Sequence, residues 1–134
     1  AAKMGLVGLS NVIAIEGQKY NVRSNVIAPI ARTRLTEQLL GPFADTLDPE
    51  LVTPLAVYLC SESCELTHEV LSVGGGRYAR AFVGLTPGWF AGKDGRPAAE
   101  DIEDHIEAIR DPEGYTIPMS AQDELRLLAD RLRS

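Results

Sequence analysis

The sequence is poor in cysteine, in aromatic residues and in basic charge, and it holds no long apolar run. Two cysteines, Cys60 and Cys64, do not make an exported disulfide scaffold. Their spacing does not exclude a bridge. Without a nearby ligand pair they make a poor zinc site. They are expected to be two small buried thiols in a reducing, cytoplasmic setting. No stretch approaches the roughly 18 consecutive apolar residues of a membrane span. No basic segment followed by an apolar run and a cleavage site opens the chain, so no secretion signal is visible. Thirteen basic against nineteen acidic side chains leave a net charge of −6. That balance argues against nucleic acid as a partner, because backbone binding needs clustered Lys and Arg.

What is present reads as globular: 134 residues, 45% hydrophobic and 24% charged, a length suited to one domain. The chain opens at Ala1-Ala2-Lys3 without an initiator Met, and an incomplete chain is the expectation. Residues 1–18 predict a helix with apolar or small residues on nearly every face, hence one buried on more than one side. Gly5 and Gly8 each cost it about 1 kcal/mol against Ala and are expected to let another backbone approach. Gly17 is positioned to end it.

Val22–Ala28 predicts a strand, stopped by Pro29. A short helical stretch is expected near Arg34–Leu40. Asp48-Pro49 and Thr53-Pro54 both mark starts for a helix that runs to about Cys60. Glu69–Val73 predicts a second strand, ended by Gly74-Gly75-Gly76, and Arg77–Leu85 looks extended. Helices follow over 98–110, with Ile102, Ile106 and Ile109 on one stripe, and over 121–133, with Leu125, Leu128 and Leu132 on another. Two strands cannot make a stable sheet domain alone, which again points to part of a larger fold. A soft boundary falls near Gly84, giving 1–83 as sheet-bearing sequence and 84–134 as a loop and helical tail.

Ala1-Ala2-Lys3-Met4-Gly5-Leu6-Val7-Gly8-Leu9 resembles the active-site helix of the short-chain dehydrogenases/reductases, with Lys3 on the lysine of their Tyr-x-x-x-Lys motif. The resemblance continues through Asn25-Val26-Ile27-Ala28-Pro29, through Leu55–Cys60 and through Glu69–Gly75. Ile27-Ala28-Pro29, Cys60–Glu65 and the tail are similar to the branch of that family acting on (3R)-hydroxyacyl-CoA. The resemblance implies an α/β fold, the C-terminal half of a Rossmann-like, doubly wound parallel sheet with an appended helical tail. It implies an oxidoreductase using NAD or NADP on a secondary alcohol or ketone, with 3-hydroxyacyl-CoA as the favoured substrate. It also implies a homo-oligomer, since counterparts of helix 1–18 and of the 48–60 helix pack between subunits.

For single residues the resemblance implies that Lys3 binds the nicotinamide ribose and lowers the pKa of a tyrosine four residues earlier. A nearby cation favours the phenolate, and a spacing of four puts both groups on one helix face. Pro29, Ile30, Ala31 and Thr33 would form the loop against the nicotinamide and phosphates, outside the carboxyl end of the strand. The chain departs from the family there. Ile30 stands where a glycine is usual, and Thr33 comes one residue early, so Thr33 and Thr36 both remain candidates for the phosphate contact.

Arg32 and Arg34 read as solvated loop residues, with acyl-CoA phosphates as the alternative. Gly74-Gly75-Gly76 reads as a turn rather than a phosphate cradle, because no helix follows it. His68 and His105 read as non-ligands, and the acidic run over 100–107 as a solvated face. Two other functions fit the residues: a non-catalytic assembly piece of the same fold, and an acidic helical binding module over 98–134.

Overall fold

A computed structural model describes residues 2–34, 36 and 40–133. The chain divides into two compact units at Phe82 and Val83.

The first unit opens with helix α1, Ala2–Gly17, and a single 3-10 turn, Gln18–Tyr20. The helix does end at Gly17, but not through a left-handed glycine. Gly17 has an ordinary φ of −77°, and the left-handed residue is Asn21 at φ 57°. Glycine is needed at 17 because the returning chain lies on it: a Cβ there would stand 2.8 Å from the Cβ of Val22. The Val22 N–H donates to the Gly17 carbonyl at 3.0 Å.

The first strand, β1, is Val26–Pro29, shorter than expected at its start and one residue longer at its end. Residues 22–25 lie outside the ladder because the facing residues are not extended. His68 is left-handed at φ 64°. One backbone bond, the His68 N–H to the Ser24 carbonyl at 2.8 Å, and side chains join the two segments there, with Asn25 Nδ2 donating to the Leu66 carbonyl at 2.8 Å and the Ser24 N–H to Thr67 Oγ1 at 3.1 Å. Pro29 does not stop the strand; it pairs with Val73. The donors toward the neighbour are Val26, to Glu69, and Ile30, to Val73. Pro29 is out of phase with them, so its missing N–H costs this ladder nothing.

The expected helical stretch near Arg34–Leu40 falls largely outside the described residues. Two 3-10 turns follow, Gly41–Thr46 and Pro49–Val52. Asp48 caps the second, accepting from the Glu50 N–H at 2.9 Å. Helix α2, Thr53–Leu59, then begins with Pro54 in its first turn, where a proline loses no helical bond.

Strand β2, Val70–Gly74, lies parallel to β1 and antiparallel to β3, Arg77–Ala81. The hairpin turns on Gly75 and Gly76, at φ 57° and 78°, the two left-handed positions of a type I′ turn. The sheet order is β1-β2-β3. The segment expected to be extended from Arg77 to Leu85 is split: β3 ends at Ala81, and Leu85 bridges Thr116 in the second unit.

The core is small. Val73, on the central strand, is fully buried, and Ala14, Ser10 and Cys64 join it. Within the described residues α1 buries only Ser10 and Ala14; Met4, Leu6, Leu9, Val12 and Ile15 stay exposed, so burial on further sides calls for protein beyond this chain. Nothing among the described residues lies within 4 Å of a Cβ at Gly5 or Gly8. One expectation is corrected: the two thiols differ. Cys64 is buried, and Cys60 is exposed at the end of α2, where the helix face turns to solvent. Both are free.

The second unit carries α3, Ala99–Asp104, α4, Ile106–Arg110, and α5, Ala121–Arg133. The expected helix over 98–110 is interrupted at His105. Its ring stacks on Trp89 at 4.0 Å, and its Nδ1 lies 2.7 Å from the Asp101 carbonyl oxygen, an acceptor the helix ladder also uses. Ile102 and Ile106, and Leu125, Leu128 and Leu132, remain exposed. Leu127 and Leu128 line a half-open cleft of about 400 Å³ with Trp89, Phe90, Glu124 and Arg131.

Candidate functional site

Strands β1 and β2 run parallel, so Pro29 and Gly74 bring their carboxyl ends together. Open parallel sheets bind ligands at that end. Helix α1 runs antiparallel to β1. Its middle is tied to the approach to the strand by Ser10 Oγ and Ser24 Oγ at 2.8 Å, and its last residue lies on Val22. Lys3 stands seven residues, or about 10 Å, further toward the helix N-terminus than Ser10. Lys3 is exposed.

The loop leaving Pro29 is pinned residue by residue. The Ile30 N–H donates to the Val73 carbonyl at 2.7 Å, and the Arg32 N–H to the Leu47 carbonyl at 2.7 Å. The Thr33 N–H donates to Thr36 Oγ1 at 2.8 Å. Thr36 Oγ1 donates to the Ala31 carbonyl at 2.7 Å. Arg32 pairs with Asp45 at 2.9 Å on the surface. Between Pro29 and Thr33 one backbone donor, the Ala31 N–H, has no partner among the described residues.

Its direction follows from its neighbour. The Ile30 carbonyl oxygen lies 2.7 Å from where a Cβ of Gly74 would stand. In a planar trans peptide the N–H opposes the carbonyl, so the Ala31 N–H points away from Gly74. The two threonines divide their work. The Thr36 hydroxyl is committed to holding the loop, whereas among the described residues the exposed Thr33 hydroxyl contacts only Thr36, at 3.0 Å. Among the described residues no group of His, Cys, Asp and Glu is placed to hold a metal ion.

The family resemblance and its motifs pointed to Pro29, Ile30, Ala31 and Thr33, which follow one another from the end of β1. They gave no sign that Gly74 belongs with them. Gly74 reads as part of a turn, and only its contact with Ile30 separates it from Gly75 and Gly76.

No protein-family model matches the chain. A short-chain type dehydrogenase/reductase of Mycobacterium tuberculosis is 42% identical to it over 118 residues, which is 87% of this chain and 41% of that protein. Peroxisomal multifunctional enzyme type 2 of Mus musculus is 38% identical over 125 residues, 92% of this chain and 17% of that enzyme. The solved structure of full-length peroxisomal multifunctional enzyme type 2 from Drosophila melanogaster matches at a TM-score of 0.81 and 29% identity, over 98% of this chain and 24% of that one. The chain thus spans less than half the length of these relatives. It belongs to the short-chain dehydrogenases/reductases and corresponds to the C-terminal part of their α/β, Rossmann-like fold.

Proposed function

We propose that this chain carries the nicotinamide side of the cofactor site in an NAD- or NADP-dependent oxidoreductase of secondary alcohols and ketones, with 3-hydroxyacyl-CoA as the favoured substrate. The observation that carries this reading is the Ala31 N–H, the backbone donor between Pro29 and Thr33 without a partner among the described residues, in a loop otherwise pinned at the carboxyl ends of two parallel strands. A carboxamide oxygen suits such a donor. The exposed Thr33 hydroxyl suits a phosphate oxygen, and Thr36, already committed, does not. The exposed Lys3 ammonium suits a ribose hydroxyl. These residues therefore fit a nicotinamide dinucleotide, which when bound supplies the hydride acceptor or donor.

Lys3 in this reading binds the ribose and holds positive charge one helical turn from the tyrosine that the family resemblance implies. That charge favours the phenolate and lets the tyrosine exchange the hydroxyl proton of the substrate near neutral pH. The 134 residues alone hold no such tyrosine and are expected to be inactive. The exposed apolar residues of α1 favour burial against further protein, including a second copy of the chain. Two free thiols suit a cytoplasmic, reducing setting. No described helix is long and apolar enough to cross a membrane.

The test is Lys3→Ala in the full-length protein. Turnover is expected to fall by about two orders of magnitude, the scale of general acid–base contributions, with the fold retained by circular dichroism. Activity within a factor of two of wild type refutes the role.

A further inference from the structure

The run Gly74-Gly75-Gly76 holds glycines with different duties. Gly75 and Gly76 have left-handed φ values of 57° and 78°, which the hairpin turn requires. Gly74 is not among the residues with positive φ, so its backbone conformation does not call for glycine. The reason lies in space. A Cβ at Gly74 would meet the Ile30 carbonyl oxygen at 2.7 Å and the Ile30 Cβ at 2.9 Å, distances that side-chain carbons do not occupy. A backbone oxygen and a Cβ cannot swing aside as the end of a flexible side chain does, so the loop would have to lift.

We propose that Gly74 is a positioning residue for the cofactor site: its bare Cα lets the Ile30–Ala31 peptide lie across the end of β2 and turns the Ala31 N–H outward. This rests on the proposed function and adds to it a residue on a different strand, 43 positions from Ala31. The lifted loop would strain the Ile30 N–H bond to Val73 first, because Val73 precedes Gly74 on the same strand. The peptide plane that aims the Ala31 donor would turn with it. Ile30 is the other half of the contact. Replacing it by glycine removes one of the two clashing atoms and frees the backbone that carries the other.

The experiment uses the full-length protein with Gly74→Ala, Ile30→Gly, the double variant, and Gly76→Ala. Nothing lies within 4 Å of a Cβ at Gly76, so Gly76→Ala strains the turn without touching Ile30. Each variant is measured by NADH titration followed by fluorescence and by thermal unfolding. Gly74→Ala is expected to raise the NADH Kd at least tenfold. Gly76→Ala is expected to lower the Tm and leave Kd within twofold. The double variant is expected to bind within threefold of Ile30→Gly, which separates positioning from a general loss of structure.

A folded Gly74→Ala protein that binds NADH within twofold of wild type overturns the proposal. So does a Gly76→Ala protein that weakens binding equally. If Gly74→Ala fails to fold, a folded double variant that binds NADH supports the pairing, and a double variant that fails to fold or to bind overturns it. A wild-type protein that binds neither NADH nor NADPH overturns the proposed function and this inference together, whereas normal wild-type binding with an unaffected Gly74→Ala overturns only this one; where the wild type binds NADPH alone, NADPH replaces NADH in every titration.

Discussion

Thr36 is the residue whose loss should show most directly that the loop after β1 is held in shape for binding. Its hydroxyl donates to the Ala31 carbonyl at 2.7 Å and accepts from the Thr33 N–H at 2.8 Å. Thr36→Val keeps the branched shape and removes both bonds, together with the 3.0 Å contact to the Thr33 hydroxyl. Each is worth about 0.5–1.5 kcal/mol net. Thr33 is exposed, so water replaces part of the loss there, and the sum sits near the lower end, about 1.5 kcal/mol. With the pinned and open loops near equal in free energy in the unbound protein, that loss lowers the binding-competent fraction from about a half to below a tenth, and the apparent Kd rises in inverse proportion. NADH binding weakens about sevenfold, approaching the tenfold that 1.4 kcal/mol represents. Thr36→Ser keeps the hydroxyl and should stay within threefold of wild type. The assay is fluorescence titration of NADH into the folded full-length variants. Thr36→Val binding within twofold of wild type, or Thr36→Ser as impaired as Thr36→Val, refutes the reasoning.

Two further outcomes are expected. Val73→Ala removes two buried carbons from a fully buried position on the central strand and should destabilise by about 2–3 kcal/mol, the transfer loss plus the cavity; an unchanged urea midpoint in the full-length protein contradicts this. Truncating the full-length protein after Gly84 should weaken 3-hydroxyacyl-CoA oxidation much more than NAD binding measured by calorimetry, provided the protein stays folded. Equal losses, or none, make the second unit structural rather than part of substrate recognition.

Local signals carried well where the chain's own chemistry decides structure. Asp48-Pro49 announced the 3-10 turn Pro49–Val52 and Thr53-Pro54 the start of α2, because a capping acceptor and a first-turn proline act within a few residues. Gly75-Gly76 announced a tight turn for the same reason. Pro29 misled, since proline at a strand end can either stop a ladder or stand out of phase with it, and the choice depends on the partner's register. The continuous apolar character of 1–18 correctly gave a helix. It could not say that this chain covers only the stripe holding Ser10 and Ala14.

The sequence by itself determined the helices, the alternation of elements, the family resemblance and the stretch Pro29–Thr33 as the candidate loop. All of these rest on neighbouring residues, on turn chemistry or on the order of motifs. Only the tertiary structure decided which donor in that loop has no partner among the described residues, which threonine hydroxyl is exposed, and which of three successive glycines lies against Ile30. Those outcomes depend on atoms brought together from positions 26–36 and 69–81, and no spacing along the chain specifies the distance between Gly74 and Ile30.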